Sequence, residues 1–159
     1  MKKLLIGIVP FLIVACNTNP DNEFQLNGIT KGIENGTVLY FDNTGTETLI
    51  DSAIVEDNTF YFNTKLPKSP LQVVLRTKDF SHYRFLWLEN NPMTFDATNS
   101  DFRNAIVTGS VEENLSYKLS KATDTLPRDE RTIEEQRFVE KHPNSIHSAY
   151  VLSVYSTTW

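Results

Sequence analysis

A single cysteine, Cys16, three histidines and a scatter of acids are the chemistry-bearing side chains of this 159-residue chain, and their spacing limits what they can do. Cys16 closes the run MKKLLIGIVPFLIVAC. Lys2 and Lys3 precede an apolar stretch over 4–15, the order of the basic and hydrophobic segments of an export signal. The stretch is too short for a bilayer core, which takes about 20 apolar residues, and Pro10 would weaken a helix there. Ile13, Val14, Ala15 and Cys16 follow the pattern of a bacterial lipobox, in which a small residue precedes a cysteine that is acylated and becomes the N-terminus after cleavage. One acyl chain, at about 0.8 kcal/mol per buried CH₂, binds a membrane only reversibly, and two or more hold stably. Lipidation at Cys16 would consume the one thiol of the chain, which excludes a disulfide or a Cys-x-x-Cys redox pair within it. Asn17, not aspartate, follows the cysteine, which points to the outer membrane, facing the periplasm.

The other chemistry-bearing types give weaker patterns. A helical zinc pair needs histidines three or four apart, and His142 and His147, the nearest two, are five apart; with His82 they read as solvated surface residues, so no metal is expected. His142, just before Pro143, suits a helix C-terminus. Asp51, Ser52 and His82 have the residue types of a hydrolytic triad, but no nucleophile elbow surrounds Ser52, and no catalytic residue is assigned. There is no G-x-G-x-x-G and no P-loop, so no cofactor is expected. Ser52 in Asp51-Ser52-Ala53 and Thr125 in Asp124-Thr125-Leu126 match a bacterial O-glycosylation pattern. Thr125 is the better placed, in a polar stretch, while Asp51 is also suited to bonding local backbone. Tyr83, Phe85 and Trp87 recur every second residue and so share a strand face. With Tyr61 they could form a carbohydrate-stacking platform, or they pack as core.

Charge narrows the partners. Residues 1–16 hold two lysines and no acid, so their removal from a chain of 15 basic and 20 acidic residues leaves a net charge of −7. Such a chain lacks the basic footprint that phosphate contacts require, and no nucleic acid is expected. About 143 residues remain, enough for one domain with a real core.

The elements that must position these residues change character along the chain. Over 24–107 short apolar runs alternate with turn residues, the spacing of an antiparallel β-sandwich or partly open barrel of seven to eight strands. Expected strands begin at Phe24 and run over 37–41, 49–55, 59–63, 71–76, 83–88, 93–97 and 105–107. Glu56-Asp57-Asn58 reads as the turn of a hairpin, and Phe60 and Phe62 share a face. From Ser110 the period becomes helical. Ser110 and Glu113 form a capping box ahead of a face of Val111, Leu115, Leu119 and Ala122; Thr132 and Glu135 repeat it before a helix ended by Pro143. Asn144-Ser145 caps a third helix with a stripe of Ile146, Ala149, Tyr150 and Val154. The expected organisation is a signal over 1–16, a polar tether over 17–23, a β-rich domain over 24–109 and two or three helices over 110–159, read as a shortened spacer.

In order, FQLNGITKG, GTVLYF, LIDSAIVEDNTFYF, FLWLENNPMTFDA and VTGS resemble the N-terminal domain of unknown function of Bacteroidetes-type thioredoxin-like (TlpA/ResA-like) lipoproteins. The resemblance covers roughly 23–115, with a fainter likeness at FVEKHPNSIHSAYVLS. It implies a β-rich module, commonly followed by a helical spacer and a thioredoxin fold whose Cys-x-x-Cys has no counterpart here. The expectation is a lipid-anchored envelope module, not an enzyme, that binds a protein partner or positions a thioredoxin-like domain. The alternatives are the N-terminal part of a thiol-disulfide oxidoreductase and a carbohydrate-binding module.

Overall fold

The computed structural model describes residues 24–158, so the expected signal, Cys16 and the tether over 17–23 lie outside the described residues. Eight strands form two four-stranded sheets that pack face to face as a sandwich, not a closed barrel, and three α-helices follow. The first sheet orders β4 (Thr59–Thr64), β1 (Phe24–Ile29), β7 (Pro92–Asp96) and β8 (Ile106–Thr108). The second orders β3 (Thr48–Ile54), β2 (Val38–Asn43), β5 (Leu71–Thr77) and β6 (Tyr83–Leu88).

Period-2 alternation explains the packing: Phe24 and Leu26, Phe60 and Phe62, and Met93 and Phe95 turn inward from the first sheet, and Leu39, Phe41, Val73 and Leu75 from the second. Phe41 meets Phe62 across the sheets with ring centroids 4.0 Å apart. Gly28 is required here, because a Cβ at that position would come 2.1 Å from the Phe60 ring lying over it.

Two pairings depart from the expected antiparallel hairpins. β1 pairs with β7 in parallel, Leu26 opposite Met93. The turn at Asp57-Asn58 is tight, with φ of 48° and 62° and the Glu56↔Thr59 bridge, yet β3 and β4 separate beyond it into different sheets. Val55 is fully buried just before the turn, and drawing it into the core parts the two strands.

The helices are α1 (Val111–Thr123), α2 (Arg128–Lys141) and α3 (Ile146–Tyr155). The last strand ends at Thr108 and α1 begins at Val111; Gly109 between them has φ of 91°, and a Cβ there would lie 2.3 Å from the Pro92 carbonyl oxygen. Two expectations for the helices fail. The second helix starts at Arg128, not after Thr132, because the Pro127 carbonyl already accepts the first helical bond, from the Arg131 N–H at 2.9 Å. The buried faces also differ: Val111 is 64% exposed and Ala122 is exposed, while α1 buries Glu112, Glu113 and Thr123. In α3 the buried residues are His147, Ser148 and Val151, and Ile146, Ala149 and Val154 lie outside.

Candidate functional site

The edges of the sandwich differ in what covers them. α1 packs against both β6 and β8 and so closes one side of the molecule. Its attachment is polar. Glu89, just after β6, accepts from the Ser110 hydroxyl at 3.0 Å and from the Glu112 N–H at 2.8 Å, which satisfies the first turn of α1. Ser110 accepts from the Glu113 N–H at 3.0 Å, so half of the expected capping box forms. The Glu113 side chain turns instead to the strand, with one oxygen 2.7 Å from Arg84 Nη2 and the other accepting from the Trp87 N–H at 2.9 Å. Glu112 in turn caps α3, accepting from the His147 N–H at 2.9 Å and from the Ser145 hydroxyl. Capping bonds thus run from the sandwich through α1 to α3, from Glu89 to Ser110 and Glu112 and from Glu112 to Ser145 and His147.

A buried aromatic box completes the joint. Trp87 Nε1–H donates to His147 Nδ1 at 3.1 Å, which places the imidazole proton on Nε2. His147 stacks on Tyr150 with centroids 5.8 Å apart and meets Phe138 at 5.6 Å. Burial pushes its pKa from 6.5 down to about 4, against the opposing charge of Glu112, so at neutral pH the ring is an uncharged acceptor. Glu113 is shifted the other way: burial raises its pKa, while Arg84 and the Trp87 N–H lower it. The reading of His147 as a solvated surface residue is therefore wrong. At 6% exposure it is core to the helical layer, because Trp87 supplies the donor that a buried imidazole needs.

Between β6 and the helices lies a cleft of about 550 Å³ whose walls include Arg84, Phe85, Trp87, Tyr117, His147 and Tyr150. Its size falls in the range of ligand-binding clefts, roughly 300–1,000 Å³.

The four aromatics expected to act together do not share a surface. Tyr83, Phe85 and Trp87 are on β6 in the second sheet, whereas Tyr61 stands 48% exposed on β4 in the first, pointing away from the core between inward Phe60 and Phe62. Trp87 is 6% exposed beneath α3, and Phe85, at 55%, is the open member. Tyr83 is half-buried and lies under the Arg103 guanidinium, 5.2 Å from its ring centroid. Ser52 is exposed on edge strand β3, where Asp51 accepts from its backbone N–H at 2.7 Å, the local bond anticipated for that aspartate. His82 bonds through Nδ1 to the Ser81 hydroxyl at 3.1 Å, and among the described residues no hydrogen bond joins it to Ser52. Thr125 is exposed between α1 and α2. His142 is the C-cap of α2, its ring 4.9 Å from Phe138. Cys16 lies outside the described residues.

Sequence reasoning missed Glu89, Glu112, Arg84 and His147. The one signal was the Ser110-x-x-Glu113 spacing, which marks Glu113 for a cap and not for a strand.

Comparison with known proteins gives a family. The family described as a domain of unknown function (DUF4369) matches residues 24–115, the whole sandwich together with the start of α1. No curated protein matches the chain. A solved structure, described as the NMR structure of the protein from Eubacterium rectale, aligns over 58% of this chain and 96% of its own at 11% identity and a TM-score of 0.29, a likeness that carries no argument.

Proposed function

We propose that this chain, which belongs to the family of the DUF4369 domain of unknown function, is a non-catalytic module of the cell envelope. Acylation at Cys16 holds it to the outer membrane on the periplasmic side, and it binds a protein partner or positions a thioredoxin-like domain. The observation that carries this reading is the run of caps from Glu89 to Ser110 and Glu112, and from Glu112 to Ser145 and His147. A spacer fixed in this way sets the direction of whatever follows it, which a loose linker cannot do. The anchor is supported by the order of basic, apolar and small residues before Cys16.

Replacing Cys16 by serine tests the anchor. The unaltered chain takes up a palmitate analogue and fractionates with membranes, and Cys16→Ser does neither; equal behaviour of the two rejects lipidation.

The resemblance to thioredoxin-like lipoproteins favours a second reading, the N-terminal part of a thiol-disulfide oxidoreductase. An in-frame Cys-x-x-Cys domain encoded after the Trp159 codon selects that reading, and a stop codon selects the stand-alone module.

A further inference from the structure

The cleft beside β6 is bounded by a strand edge that is sealed at one point and open at the next. Among the described residues β6 pairs only with β5, and its other edge has no strand partner there. The Trp87 N–H points away from β5, because it donates to Glu113. Antiparallel pairs alternate between bonded and non-bonded, and the Thr77 N–H bonds to the His82 carbonyl at 2.9 Å, so Tyr83, Phe85 and Trp87 are the residues whose N–H and C=O face outward. Glu113 occupies this edge at Trp87, and the next outward N–H and C=O along it belong to Phe85, a residue of the cleft wall. An outward pair on an edge strand is a template for another extended chain.

The cleft is also unusual in charge. The chain has 15 basic residues against 20 acidic, but the cleft wall carries Arg84, Arg103, Lys121 and Arg131 against Glu113, Asp124 and Glu135. Glu113 is spent on Arg84. Among the described residues Arg103, Lys121 and Arg131 form no ion pair; Arg103 lies over Tyr83 and Lys121 over Tyr117. Tyrosine, tryptophan and arginine are the types that dominate binding energy at protein interfaces.

We propose that an acidic, extended peptide segment of a partner protein adds as a strand to the open β6 edge at Phe85, with its carboxylates against Arg103, Lys121 and Arg131. Main-chain bonds to Phe85 supply the grip, and the cations select the sequence. The proposal rests on the partner-binding reading above and gives it a surface and a ligand class. It does not depend on the lipid anchor, which palmitate labelling tests separately.

The test uses the chain labelled with ¹⁵N and the fluorescein-tagged peptide Asp-Val-Glu-Val-Asp-Val. Saturable binding that shifts the Phe85 amide is expected. Binding falls at least about tenfold for Lys-Val-Lys-Val-Lys-Val, and again on N-methylation of the central residues. The double variant Arg103→Ala with Arg131→Ala, exposed positions whose loss leaves the rest of the spectrum in place, weakens the acidic peptide by about tenfold. Four results overturn the proposal: no binding at about 1 mM peptide, equal binding of both charge types, shifts confined to β3 or β4, or a Phe85 amide already protected by self-association of the free chain.

Discussion

In the sandwich most buried positions are filled by apolar side chains, with Phe24, Phe41 and Phe62 packed between the sheets, whereas the helical layer buries Glu112, Glu113, Glu135 and His147 beside Phe138 and Val151 and leaves Val111, Ile133 and Ile146 exposed. The sandwich is stabilised by area removed from water, a force indifferent to pH and direction. The helices are attached by hydrogen bonds that require particular atoms and particular protonation states. One region therefore resists conditions that release the other. The polar joint fixes orientation, which nondirectional apolar packing does less well, and that is the property a positioning module needs.

The largest effect should come from the apolar side. Phe62→Ala opens a void between the sheets and is expected to cost about 3–5 kcal/mol, read as a lower urea midpoint at unchanged slope, with strands and helices lost together. A variant that releases only the helices would break the comparison.

Acid should act on the other region. His147 has a folded pKa of about 4 against 6.5 ordinarily, so the unfolded chain takes up its proton first as pH falls. Its contribution is complete above pH 6.5 and is lost between 6.5 and 4, at most about 3 kcal/mol and about 2 kcal/mol by pH 5. Glu113 runs in the opposite sense: its raised pKa favours the protonated folded form, so that contribution is present at low pH and fades as pH rises through the folded value. Urea melts from pH 7 to pH 5 should show the net loss, and His147→Gln should flatten the slope.

Glu113→Ala leaves the Trp87 N–H and Arg84 without their acceptor and should cost about 2 kcal/mol, seen in the helical circular dichroism; Glu113→Gln, which keeps an acceptor, should recover part of it. Val111→Lys sharpens the contrast from the other end. This residue headed the expected apolar face of α1, yet it is 64% exposed, and the change should stay within about 0.5 kcal/mol in the same melt.

The same contrast explains what could be read from the sequence. Phe60 with Phe62, and Met93 with Phe95, alternate as their burial does, so strands and fold class were legible. The parting of β3 from β4 was not, since the turn at Asp57-Asn58 is local and the destination of each strand is set by distant partners such as Phe24, opposite Thr64. Helix faces were misread for a physical reason. Periodicity finds a buried face by its apolar residues, and here Glu112, Glu113 and His147 occupy it, acceptable only because Ser145, Arg84 and Trp87 come within hydrogen-bonding reach after folding. The aromatic set failed as a unit because its members belong to different sheets, which strand order decides and spacing does not.

Native-state hydrogen exchange at pH 7 and pH 5, expressed as protection factors, tests the division most directly. Amides of α1 and α3 should lose protection at the lower pH while those of β1, β2 and β5 keep theirs. An equal fall in both regions, or helices whose protection does not change, would contradict a helical layer held to its sandwich by Glu89, Glu112, Glu113 and His147.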